Sequence, residues 1–203
     1  MELMATRVDF DRFYDVTDPP GTRFVRGDVA ESDRRHAGRL LRAERQPKRP
    51  VQITQGSTGV WADVVWTNES GIILLSARLC EALAAASITG WATYPVDVRR
   101  ADGARADYLG LSITGRCGAI DLTRGTWVRR DDREGKYLMG LYFIERSWTG
   151  HDFLLAGATL FVFVTEAVKA CLERMGAENF LATPLSVALL PELVVRTLDQ
   201  ENP

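Results

Sequence analysis

Two short apolar runs stand out along the chain, Ile72-Ile73-Leu74-Leu75 and Leu160-Phe161-Val162-Phe163-Val164. Both are rich in β-branched or aromatic side chains, the pattern of a buried strand. Each ends in a hydroxyl residue, Ser76 or Thr165, which can cap the free N–H groups of a helix start. After Thr165 the periodicity changes: Val168, Cys171, Leu172 and Met175 fall at i, i+3, i+4 and i+7, one apolar helical stripe. Glu166 in the first turn and Arg174 near the end suit the helix dipole, and Gly176 is placed to stop the helix. The alanine-rich stretch from Ala77 to Ala86, anchored by Leu79 and Leu83, predicts a helix in the first segment. Tyr94, Val96 and Val98 then alternate as a strand, with Pro184 and Leu185 at the matching place in the second segment. Adding 89 carries Ser76 onto Thr165, Leu79 onto Val168, Leu83 onto Leu172, Trp91 onto Phe180, Pro95 onto Pro184 and Val98 onto Val187. The pattern predicts a strand–helix–strand unit present twice, at about residues 72–98 and 161–187. A proline inside each closing strand argues for an edge or a strand end.

Between the two units, turn residues such as Asp102-Gly103 and Glu134-Gly135 separate short strands. These are predicted at Asp107–Thr114, Cys117–Leu122, Trp127–Arg130 and Lys136–Glu145, a spacing that suits antiparallel meanders. Val60–Trp66 reads as a further strand, and Leu189–Leu198 as a last helix opened by Pro191. The predicted class is α+β, a single domain. Residues 1–50 differ in character from residues 51–203. After the turn Asp18-Pro19-Pro20-Gly21, a charge-dense stretch from Asp28 to Pro50 crowds Arg34, Arg35, Arg39, Arg42, Arg45, Lys48 and Arg49 together. A helix over Glu31–Arg45 would have only Leu40 and Leu41 as large apolar residues. It reads either as a solvated flap or as a basic docking patch.

A resemblance to a known family attaches to these segments in order. The chain has Tyr94-Pro95-Val96-Asp97-Val98, then Tyr108-Leu109-Gly110-Leu111, then Cys117-Gly118-Ala119-Ile120-Asp121. Asp152-Phe153-Leu154-Leu155-Ala156-Gly157 follows, leading into Phe163-Val164-Thr165-Glu166-Ala167-Val168-Lys169. This order resembles a family of bacterial immunity proteins from polymorphic toxin systems, common in myxobacteria and formerly a domain of unknown function. The resemblance spans about Val51 to Val187. It departs where Asn179-Phe180 stands in place of a frequent Gly-Val. It implies a protein that binds and neutralises a cognate bacterial toxin, with no cofactor.

At 203 residues the chain can bury a substantial core, and its formal charge of −2 makes the whole molecule no nucleic-acid magnet. No apolar run has the length of a membrane span, and the N-terminal residues have no signal-peptide core, so the cytoplasm is the expected location. Three cysteines, Cys80, Cys117 and Cys171, are an odd and scattered set, read as small buried hydrophobes. Only two histidines occur, His36 and His151. No nucleophile elbow, phosphate loop or paired-cysteine metal motif is present, and Gly115-Arg116-Cys117-Gly118 lacks the lysine and helix of a phosphate loop.

Three function classes follow. The first is toxin neutralisation by protein–protein contact, with the surface expected on the parts outside the repeated units. Those are Arg34, Arg35, Arg39 and Arg42 in the basic stretch, and Trp127, Arg129, Arg130, Asp131 and Asp132 in a hairpin. Aromatics and arginines are enriched among binding anchors, although most indoles serve burial. The second is an enzyme using His151, Asp152 and a nearby Cys or Ser, since triads assemble in space. The third is a nucleic-acid-binding module using the basic stretch.

Overall fold

The two apolar runs are continuous rather than alternating because each strand they form has a core on both faces. Ile73 and Leu75 face one core and Leu74 another; Val162 and Val164 face that same first core and Phe163 a third. This is the arrangement in the computed structural model, which describes residues 8–21, 23–131 and 133–201. The elements begin with β1 (Phe13–Thr17), β2 (Gly27–Val29), α1 (Glu31–Arg34), α2 (Ala37–Leu41), β3 (Val51–Gln55) and β4 (Val64–Trp66). There follow β5 (Ile73–Ser76), α3 (Ala77–Ala85), β6 (Trp91–Arg99), β7 (Arg105–Ala106), β8 (Tyr108–Ile113), β9 (Arg116–Cys117), β10 (Thr126–Arg130) and β11 (Arg133–Met139). The chain closes with β12 (Phe153–Ala156), β13 (Val162–Thr165), α4 (Glu166–Arg174), β14 (Leu181–Pro184), β15 (Leu189–Pro191) and α5 (Glu192–Glu201).

The fold is α+β, with three sheets. One has the order β2-β3-β6-β8-β5-β4, with β7 also paired to β6; the second is β14-β1-β13-β12-β9; the third is β10-β11-β15. The first two sheets and the helices α3 and α4 enclose a shared core containing Leu79, Leu83, Val168 and Leu172. Outside the first sheet, Ala37 and Leu40 of α2 cover Leu74 and Tyr94. Outside the second, Leu138 of β11 and Val195 and Leu198 of α5 pack with Phe163.

The two strand–helix–strand segments are built alike in detail. Val64 pairs with Leu75, Val65 with Leu74 and Trp66 with Ile73; 89 residues on, Phe153 pairs with Val164, Leu154 with Phe163 and Leu155 with Val162. The Ser76 amide donates to the Asp63 carbonyl at 2.8 Å, and the Thr165 amide to the Asp152 carbonyl at 2.9 Å. Both hydroxyls bond the neighbouring carboxylate, Ser76 to Asp63 at 2.7 Å and Thr165 to Asp152 at 2.9 Å. Each helix ends on a positive-φ residue, Ser87 at 54° and Gly176 at 64°. The helices meet where Cys171 Sγ lies 3.7 Å from the carbonyl of Ala82, its own counterpart 89 residues earlier. In both segments the two strands are parallel and held apart by an antiparallel strand. In the first, β8 lies between β5 and β6; in the second, β1 lies between β13 and β14.

Several expectations are corrected. Thr165 occupies the N-cap position of α4, but its hydroxyl is drawn to Asp152, so only Ser76 caps, accepting from the Leu79 amide at 3.1 Å. Pro95 is inside β6 rather than at an edge. It stands where pairing passes from β8, which covers Trp91 to Pro95, to β3, which begins at Val96. Pro184 does end an edge strand. The correspondence stops there: Val98 is buried against β3 and β7, whereas Val187 is 51% exposed in a turn closed by its amide on the Pro184 carbonyl. The sheets are mixed rather than plain meanders, because β3 with β6 and β9 with β12 run parallel. The single helix expected over Glu31–Arg45 is two short ones separated by Arg35 and His36, and α2 buries Leu40 and Leu41 under the first sheet. Leu189–Pro191 is a strand on β11, and α5 begins only at Glu192.

Asp15 lies in β1 opposite Phe163 on one side and Thr183 on the other. Burial pushes its carboxyl up to about 7. A carboxyl that holds its proton more tightly when folded adds stability at acid pH, and that stability is lost as pH rises through about 7. Folding stability measured by urea denaturation is therefore expected to fall between about pH 4 and pH 7, by up to roughly 4 kcal/mol from this group. Asp15→Asn should flatten that slope and raise stability at neutral pH. An unchanged slope in the variant would contradict the assignment.

Candidate functional site

The cations of the arginine-rich stretch divide by whether an acid is within reach. Arg34 pairs with Glu31 at 3.1 Å and donates to the Val29 carbonyl at 3.0 Å. Arg42 pairs with Glu44 at 2.9 Å, and its carbonyl accepts a bond from the Arg116 guanidinium. These two of the expected site residues hold the local structure together. Arg49 pairs with Asp33 at 3.1 Å, while the other oxygen of Asp33 accepts from the Gln52 amide at 3.1 Å.

Arg35, Arg39, Arg45 and Lys48 have no carboxylate within ion-pair distance among the described residues. The turn between α1 and α2 and the loop leading into β3 bring Arg35, Arg45 and Lys48 around a cleft of about 310 Å³ that also includes His36. The imidazole lies between two guanidiniums: Arg35 Nε is 3.2 Å from its Nε2, and Arg45 Nη1 is 3.5 Å from its Nδ1. Partial desolvation, and then the charges of Arg45, Arg35 and Arg39, push its pKa below the ordinary histidine value, against the pull of Asp33.

The second expected surface is the β10–β11 hairpin. Trp127 is 48% exposed and stands opposite the buried Leu138, at the rim of the third core. Arg129, Arg130 and Asp131 are exposed beyond it, with a register shift between Arg129 and Arg130 that bends the strand tip. Asp132 lies outside the described residues. The basic cleft and the hairpin rest on different sheets and different cores. Arg45 and Lys48 belong to the basic stretch read as a docking patch but were not singled out within it, and His36 was not expected at the site. The signal that finds them is the shortage of acids within reach, which a list of charges along the chain does not carry.

Of the groups named for an enzyme, Asp152 is engaged in the scaffold. The Asp152 carboxylate accepts from the Thr89 amide and hydroxyl, at 2.9 and 2.8 Å, and from Thr165. It is the counterpart of Asp63, which accepts from Ser76 and Arg78. The carbonyl of His151 accepts from the Trp148 indole at 2.9 Å. Burial pushes the Cys80 thiol up to about 11 and the Cys117 thiol up to about 12, so both stay protonated near neutrality. Among the described residues no group of three or more His, Cys, Asp or Glu is placed to hold a metal ion. No helix among them is long and apolar enough to cross a membrane.

The sequence pattern of the immunity protein family (Imm11) matches residues 15–186. The chain belongs to that family. Imm11 is a polymorphic-toxin immunity family. The match begins inside β1 and ends just past β14, so the Imm11 region takes in both strand–helix–strand segments, the basic cleft and the β10–β11 hairpin. No curated protein matches the chain.

Proposed function

We propose that the chain neutralises a cognate bacterial toxin by direct protein–protein contact. The observation that carries this reading is the family match over residues 15–186. Two features support contact as the means. Exposed arginines flank the half-exposed Trp127, the residue types that anchor protein interfaces. The Asp152 carboxylate, which a hydrolytic reading would need, is bonded into the scaffold. Three buried free thiols fit a reducing compartment, so we place the encounter in the cytoplasm. The shared register of the two strand–helix–strand segments supports reading them as copies of one unit.

Coexpression tests the reading. Cells making the toxin encoded beside this gene should survive when the chain is present, and cells making an unrelated toxin should not. The two proteins should copurify. Trp127→Ala with Arg129→Ala should weaken the complex by about tenfold or more, given typical anchor energies above 1 kcal/mol. Failure of the soluble chain to protect would refute neutralisation. Protection without a recoverable complex would refute direct contact.

A further inference from the structure

The basic cleft poses a hydrogen-bonding problem within itself. A neutral imidazole offers one N–H and one lone pair. Two guanidinium donors nevertheless approach the two ring nitrogens of His36, from Arg35 at 3.2 Å and from Arg45 at 3.5 Å. Only one of them finds an acceptor; the other faces an N–H. Lys48 adds a third cation to the rim, and none of the three has a carboxylate in ion-pair reach among the described residues. The one acid lining the cleft, Asp33, is already occupied by Arg49 and the Gln52 amide. Several cations outside the cleft do lie against acids: Arg26 on Asp18, Arg78 on Asp63, Arg99 and Arg105 on Asp97, Arg124 on Glu145. The cleft is thus a small concave site with surplus positive charge and unmet donors.

We propose that this cleft, bounded by Arg35, His36, Arg45 and Lys48, receives a carboxylate-bearing segment of the partner protein, one or two Asp or Glu side chains. The proposal rests on the toxin-neutralising reading and names the part of the partner that is recognised. A carboxylate accepts from Arg35 and Arg45 at once and removes the mismatch at His36, which can then carry a proton beside the bound anion. The site does not suit a nucleic acid. Single strands are held by long basic grooves with aromatic platforms for stacking, whereas the indole-free cleft spans only the α1–α2 turn and the 45–49 loop and contains an acid. The overall charge of −2 points the same way.

The test uses the full chain and a probe independent of any toxin: a blocked peptide of alternating glutamate and glycine. His36 ring signals are followed by NMR at low salt, and oligothymidylate of equal charge is the competitor. Saturable peptide binding is expected, weakening as salt rises and falling by about tenfold or more in Arg45→Gln/Lys48→Gln. Arg35→Gln, an exposed change, provides a second variant, and unchanged thermal unfolding of each variant excludes a folding defect. No saturable shift at His36, equal binding by the folded variants, or tighter binding of oligothymidylate would each overturn the proposal. In the coexpression assay the double variant should lose protection. If wild type and double variant protect equally, the cleft is wrong and neutralisation stands. If wild type does not protect, neutralisation is wrong, and the peptide titration still decides the cleft.

Discussion

Leu172→Ala is expected to cost about 2–5 kcal/mol of folding stability, the range for a core leucine whose cavity cannot collapse fully. Leu172 is 5% exposed and Leu83, its counterpart, is fully buried; both lie in the core shared by the two large sheets. That core is walled by α3 and α4, which touch at Cys171 and Ala82, so inward movement of either helix to fill the void is resisted by the other. Leu83→Ala should cost as much. The double variant should depart from additivity, because both cavities open into one cluster. Leu193→Ala, on the exposed face of α5, serves as the control and should change stability by less than about 0.5 kcal/mol. Chemical denaturation of the four proteins checks this, and a Leu172→Ala loss no larger than the control's would contradict the shared-core account.

Gly110→Ala should be comparably damaging, by about 3 kcal/mol or more. A Cβ at residue 110 would lie 2.1 Å from Cε2 of Tyr94, the residue paired with it across β6 and β8. Such an atom has no room, because the Tyr94 ring is 1% exposed and held by the core under α2. Overpacking of a filled core ordinarily costs about 1–3 kcal/mol, and this contact is at the severe end. At the matching place in the second segment, Asp15 stands opposite Thr183, a larger residue on the middle strand and a smaller one across from it. Tyr94→Leu should therefore recover part of the loss in the Gly110→Ala background. The Tyr94 hydroxyl itself is buried without a hydrogen-bond partner among the described residues, so Tyr94→Phe alone should be neutral or slightly stabilising. A Gly110→Ala protein as stable as wild type would mean that the ring can move.

The strand–helix–strand segments were legible because their signals are local: a continuous apolar run, a hydroxyl, an i, i+3, i+4 stripe. The correspondence of their outer strands was not. Val64-Val65-Trp66 and Phe153-Leu154-Leu155 share no residue, and only the pairing register reveals that they match. Nor was β1 visible as the middle strand of the second segment. Its partners lie about 150 residues away, and Asp15 interrupts its apolar pattern. The basic stretch was legible as charge but not as a site. Whether an arginine is spent on structure depends on acids brought from elsewhere, such as Asp18 for Arg26 or Glu69 near Arg34, and on the carbonyls of Val29 and Ala158. Those distances exist only once the chain has folded.

The origin of β1 has a consequence for the order in which the molecule can be assembled. In the first segment the middle strand, β8, is synthesised soon after the two strands it joins, with only the short β7 between. In the second, the middle strand is made before both of its neighbours, with most of the chain between them. On a ribosome, the first segment can close while the chain is still growing. Tyr14 and Phe13 must wait, without their partners, until residues 162–184 have emerged. Completion of the second sheet is thereby tied to synthesis of its last strand: a chain broken off before β14 keeps the first sheet, but the second lacks its edge strand and β1 stands unpaired on that side.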